Sequence, residues 1–147
     1  MEKQYTQLNV YVDGAYSTNY PDRYSGAFVV VNPTNQRAIY EKCGCGTKAV
    51  SMRNVAGELS ATMRAVQYVS KLTNNIVIFY DYTGIKFWVT GEWKANKPET
   101  QAYKDYMSKF KDKIQFVKVK AHSGDKYNTR VDQLAKYALM ENRTWKD

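Results

Sequence analysis

Four acidic residues stand where apolar segments would aim them inward. Asp13 closes the run Leu-Asn-Val-Tyr-Val-Asp, and Asp81 closes Ile-Val-Ile-Phe-Tyr-Asp. Glu58 opens Glu-Leu-Ser-Ala-Thr-Met, and Asp132 interrupts Thr-Arg-Val-Asp-Gln-Leu-Ala. Carboxylates avoid such positions unless their charge is compensated. Four converging carboxylates point to bound Mg²⁺, because hard divalent cations take oxygen ligands. Two ions about 3.5–4 Å apart would activate a water and stabilise the departing oxygen of an in-line displacement at phosphorus.

These acids need elements to carry them. Residues 5–12 alternate and are β-branched enough for a first strand. Residues 26–31 and 37–46 read as a second and third, separated by the turn Asn32-Pro33-Thr34-Asn35, in an antiparallel meander. Residues 53–72 carry Val55, Leu59, Met63 and Val66 at helical spacing, with Asn54 as the expected N-cap. Residues 76–80 form a short, fully apolar strand, as in a sheet covered on both faces. A short helix over 84–89, a charged helix over 99–112 and a fifth strand over 114–119 follow. The last helix, about 125–142, has a stripe of Val131, Leu134, Ala135, Ala138 and Leu139. This order predicts an α/β layer fold with a five-stranded mixed sheet flanked by helices. Strands 1–3 are antiparallel, and strands 4 and 5 run parallel to strand 1. Asp13 and Asp81 then share the carboxyl edge of the sheet, where open α/β sheets place their sites.

Composition narrows the function classes. The 147 residues make one domain, residues 1–147, and 44% hydrophobic content argues against disorder. No apolar run approaches the roughly 20 residues of a membrane span, and no signal peptide is evident. A soluble, cytoplasmic monomer is expected. Cys43 and Cys45 lack the further soft ligands that zinc needs, so Cys-Gly-Cys reads as strand alternation. The net charge of +8 favours polyanions. A basic protein that concentrates acid at one point holds metal against phosphate. Lys86, Lys94 and Lys97 around Trp88 and Trp93 suit a nucleic-acid channel, with Trp88 the nearer to substrate.

Val-Asp-Gly, Asn-Val-Ala-Gly-Glu-Leu, Phe-Tyr-Asp, and Val-Lys-Ala-His-Ser-Gly followed by Asn128 and Asp132 resemble, in this order, the type 1 ribonuclease H pattern. The likeness runs from about residue 5 to 139, in a form without the long basic protrusion of some members. It implies the ribonuclease H-like fold and an endonuclease that cuts the RNA strand of an RNA:DNA hybrid. It further implies Mg²⁺ or Mn²⁺, two ions per site, and 5′-phosphate and 3′-hydroxyl ends. By motif, Asp13, Glu58, Asp81 and Asp132 become the metal ligands, and His122 the loop histidine that assists proton transfer or product departure. Asn54 matches an asparagine that reads the hybrid's minor groove, and Asn128 follows His122 at the family's spacing. Gly14, Arg53 and Trp88 complete the expected substrate contacts, with Asn19 a lesser candidate. The chain departs from the pattern at Arg53, where threonine is common, and at Val55, where asparagine is common. Arg53 would replace a hydroxyl contact with a charged one.

Two other classes compete. Recombinases and transposases share the fold but lack the His-loop and aspartate-helix signature and carry further DNA-binding domains. A non-catalytic binding module would treat the acids as relics, yet all four are present.

Overall fold

The computed structural model describes residues 3–120 and 125–145. Strands β1 (Leu8–Ala15), β2 (Tyr24–Asn32) and β3 (Arg37–Gly46) form the meander. Helix α1 (Asn54–Val69), strand β4 (Ile76–Tyr80) and helix α2 (Gly84–Thr90) follow. Helix α3 (Pro98–Ser108), strand β5 (Ile114–Lys118) and helix α4 (Lys126–Glu141) complete the order. The sheet runs β3-β2-β1-β4-β5. β1 pairs antiparallel with β2 and parallel with β4, and β4 is parallel to β5, as the sequence pattern required.

The period of two along β1 divides the core. Val10 and Val12 face the larger cluster with Leu59, Ala65 and Val66 of α1 and Tyr103 and Met107 of α3. Tyr11 faces the other way, toward Val131, Leu134 and Ala135 of α4. Strand alternation therefore aims Asp13 at the α4 side and Gly14 at the α1 side. Helix α1 comes very close to the sheet. A Cβ on Gly14 would collide with the Asn54 carbonyl and lie 2.7 Å from the Glu58 nitrogen, and one on Gly57 would collide with the Ser25 carbonyl. Glycine at both positions brings helix backbone onto strand backbone, which sets Glu58 beside the end of β1.

Several boundaries differ from those expected. β1 starts at Leu8 and runs two residues past Asp13, which pairs in the ladder with Ala27. Gly14 and Ala15 extend the pairing because they face Gly26 and Ser25, all of them small. Asn54 is not the N-cap of α1; Arg53 is, with φ 55° and ψ −132° and no side-chain cap bond. Glu58 is consequently the fifth helical residue rather than the fourth. α3 ends at Ser108, and residues 109–113 form a turn with a 3₁₀ segment, Lys111–Lys113. α4 is capped at both ends. The Asp125 side chain accepts from the Tyr127 and Asn128 N–H groups, and Asn142 takes the left-handed conformation that ends helices. Cys43 and Cys45 are free thiols in β3, consistent with strand alternation. No helix among the described residues is long and apolar enough to cross a membrane.

Candidate active site

Four elements carry the four acids to one edge of the sheet. Asp13 lies in the last turn of pairing of β1, Asp81 directly follows β4, Glu58 projects from the second turn of α1, and Asp132 lies near the middle of α4. Glu58 is 2% exposed, and among the described residues it has no cationic partner. Its Oε1 accepts weakly from the Asp81 N–H at 3.4 Å and the Tyr82 N–H at 3.5 Å. Asp13 Oδ1 accepts from the Gly14 N–H at 2.9 Å.

The electrostatics reflect crowded negative charge. Burial pushes the Glu58 carboxyl up to about 8, the neighbouring Asp13 and Asp81 charges push in the same direction, and the two N–H donors oppose them. Burial likewise pushes Asp13 up to about 7. The Gly14 N–H opposes this, while the charge of Asp132 and a hydrogen bond shared with it, and then the charge of Asp81, add to it. Lys136 Nζ lies 3.0 Å from Asp132 Oδ2 and is the only ion-pair partner of these four acids among the described residues. Anionic oxygens with so little compensation are the donor set that a hard divalent cation takes. Among the described residues, no three metal-binding side chains already close into a ligand cage.

The other expected residues distribute around this edge. Gly14, Tyr16, Asn19, Asn54, Asp132 and Lys136 line a groove of about 510 Å³ between the β1–β2 loop, α1 and α4. Arg53 is exposed beside it, its guanidinium 5.4 Å from the Tyr16 ring centre. Asn128 is half-buried one helical turn before Asp132 on α4. His122 lies outside the described residues.

A second groove, of about 300 Å³, is lined by Met52, Val55, Tyr82, Trp88, Lys94 and Lys97, together with Asn96 and Thr100. Lys86 is not part of its lining. Trp88 reaches it but is only 8% exposed, packed edge-on against Trp93, which is 37% exposed. Trp88 is thus as much a core residue as a surface one, and Tyr82, which the sequence did not single out, shares the lining.

Sequence reasoning also missed two lysines. Lys136 stands four residues after Asp132, an i,i+4 spacing that was readable. Lys118, on β5, donates to the Asp81 carbonyl and the Thr83 hydroxyl. That contact depends on the register of β4 with β5, and no local pattern marks it.

The RNase H family model matches residues 5–140. The chain belongs to the RNase H family. A ribonuclease H of Wolbachia pipientis wMel is 30% identical over 148 residues, covering 92% of this chain and 97% of the relative. The fold is similar to that of the RNase H1 of Halobacterium salinarum, with a TM-score of 0.76 and 22% identity over 92% of this chain and 98% of the other. It is also similar to LC11-RNase H1, solved in complex with an RNA/DNA hybrid, with a TM-score of 0.74 and 16% identity over 91% and 97%. The ribonuclease H resemblance carried by the motifs is borne out, and with it the assignment as an enzyme of the ribonuclease H class. The RNase H family depends on divalent metal.

Proposed function

We propose that this chain cleaves the RNA strand of RNA:DNA hybrids endonucleolytically, leaving 5′-phosphate and 3′-hydroxyl ends. The observation that carries this reading is the meeting of Asp13, Glu58, Asp81 and Asp132 at one sheet edge, with the first two held well above ordinary carboxyl values. These four would hold two Mg²⁺ ions, or Mn²⁺. Such ions, when bound, activate water and neutralise charge on the departing oxygen. The chain's own residues bind and orient the substrate. Asn54 and Asn128 are suited to donate to 2′-hydroxyls and base edges in the wide, shallow minor groove. Arg53 supplies a cation for a phosphate. Lys94 and Lys97, beside Trp88, offer a basic and aromatic groove to the DNA strand. His122 would move a proton or hasten product departure. The hybrid bound to the structurally similar LC11-RNase H1 supports the substrate class. The protein is proposed to act as a cytoplasmic monomer of one domain.

A labelled panel of RNA:DNA, RNA:RNA and DNA:DNA, plus a hybrid with 2′-O-methylated RNA, tests this reading, each with and without Mg²⁺. Only the unmodified hybrid should be cut, only with metal, and not by a folded Asp13→Asn variant. Comparable cutting of DNA:DNA, or of the methylated strand, would instead support a recombinase-like enzyme.

A further inference from the structure

The segment Asp81–Thr83 joins β4 to α2 and carries one of the four acids. It is held by two side chains, Glu58 and Lys118. Glu58 Oε1 accepts from the Asp81 and Tyr82 N–H groups, at 3.4 and 3.5 Å. Lys118 Nζ donates to the Asp81 carbonyl at 2.6 Å and to Thr83 Oγ1 at 3.0 Å. Lys118 is the last residue of β5 and sits opposite Tyr80 in the parallel ladder, so its Cα is fixed by strand pairing. Its ammonium also lies 6.0 Å from the Tyr80 ring centre. Thr83 is the N-cap of α2, yet its hydroxyl caps nothing in that helix and serves Lys118 instead.

The two restraints are unequal. The bonds to Glu58 are long, and they come from a carboxylate proposed as a ligand. A cation on Glu58 competes with two N–H groups for the same oxygen lone pairs. The bonds to Lys118 are short and charge-assisted, and they engage a main-chain oxygen and a hydroxyl that have no role as proposed ligands. Neither bond involves Glu58.

We propose that Lys118 is a positioning residue of this enzyme: anchored on β5, its ammonium fixes the main chain of the turn that aims the Asp81 carboxylate. This rests on the reading of Asp81 as a metal ligand. Outer-shell partners of ligands typically contribute about 10–100-fold to metal affinity or activity. Lys118 is exposed and acts on the backbone rather than on the carboxylate, so the lower end, about tenfold, is expected.

The sign of the effect separates positioning from bulk electrostatics. Removing a lysine charge near a cation site should tighten cation binding by Coulomb's law. Removing a positional clamp should weaken it. Mg²⁺ binding to the full chain without hybrid, measured by calorimetry, therefore discriminates for Lys118→Met, Lys118→Arg and Asp81→Asn, with thermal unfolding recorded for each. The expected result is about tenfold weaker binding and a comparable fall in kcat for Lys118→Met, with KM for hybrid little changed and partial recovery in Lys118→Arg. Wild-type or tighter Mg²⁺ binding by Lys118→Met, with binding lost in Asp81→Asn, overturns the role of Lys118 alone. Undiminished binding by Asp81→Asn overturns the metal-ligand reading on which it rests.

Discussion

Lys136 Nζ lies 3.0 Å from Asp132 Oδ2, one turn further along α4. Both side chains line the groove that also holds Gly14 and Asn54. The lysine is 61% exposed, so as a stabilising pair it contributes no more than about 0.5 kcal/mol. Its larger consequence is competition: the ammonium occupies a carboxylate oxygen that a cation would otherwise take. Lys136→Met should leave the melting temperature of the metal-free protein nearly unchanged and lower the Mg²⁺ concentration for half-saturation. It should also weaken hybrid binding, because one cation near the phosphates is lost. A magnesium titration of melting temperature at low salt checks the first two, and hybrid affinity by anisotropy checks the third. Weaker magnesium binding would show that the pair organises Asp132 rather than competing for it.

The raised proton affinities of Glu58 and Asp13 make a linked prediction for stability. Both groups bind protons more tightly in the fold than in the unfolded chain, with folded values of about 8 and about 7 against ordinary values of 4.5 and 3.8. Their contribution is fully present below about pH 4 and is lost as pH rises through about 7–8. In EDTA the melting temperature should therefore fall across this window. Glu58→Gln, which stays neutral, should fall less steeply than wild type and melt higher at pH 8.5. Added Mg²⁺ should recover more stability at pH 8.5 than at pH 5.5, because cation and proton compete for the same oxygens. Parallel profiles for the two proteins would show that Glu58 does not titrate in the fold.

Elements marked by period and punctuation were legible in the sequence. β4 and β3 fall at their expected limits, and Asp125 and Asn142 cap α4 at the two ends expected for that helix. The parallel relation of β1, β4 and β5 followed from the intervening helices. The convergence of the four acids followed from that topology together with the motif order. What stayed hidden depended on surfaces meeting. Arg53, rather than Asn54, caps α1, because the chain enters the helix through a left-handed residue that no propensity scale would choose. The depth of Glu58 is set by Gly14 and Gly57, which admit helix backbone onto strand backbone. Trp88 looked like a surface aromatic among lysines, but it belongs to the larger buried cluster, with Tyr82 and Trp93 packed against it.

That burial changes how the second groove must be tested. Trp88→Ala would remove a side chain only 8% exposed, at a cost of about 3–5 kcal/mol, and would confound binding with unfolding. Lys94 and Lys97 are exposed and line the same groove. Lys94→Ala and Lys97→Ala should leave melting within about 0.5 kcal/mol of wild type. If each neutralises a phosphate, each should reduce the slope of log affinity against log salt by about one. Lys86→Ala, outside the lining, serves as the control and should leave the slope unchanged. An unchanged slope in both Lys94 and Lys97 variants would remove this groove from the hybrid path.

Arg53 combines strain with position. At φ 55° and ψ −132° it occupies a region that residues with a Cβ rarely adopt, at a typical cost of about 1–3 kcal/mol. Glycine takes that conformation freely, though it loses more entropy on folding. The Arg53 side chain lies over Tyr16 at 5.4 Å, an exposed cation–π contact of about 0.5–1 kcal/mol that offsets part of the strain. The remainder is tolerated if the guanidinium serves the substrate. Arg53→Gly should then stabilise the protein by about 1 kcal/mol, raising the melting temperature by roughly 2–4 °C, while KM for hybrid rises more than kcat falls. Arg53→Lys keeps a charge and the strain but loses the planar fork, so it should be no more stable than wild type and intermediate in KM. Thermal melts and steady-state kinetics at low salt on the three proteins decide the matter. A stabilised Arg53→Gly enzyme with unchanged KM would mean that the arginine is strained without serving the hybrid.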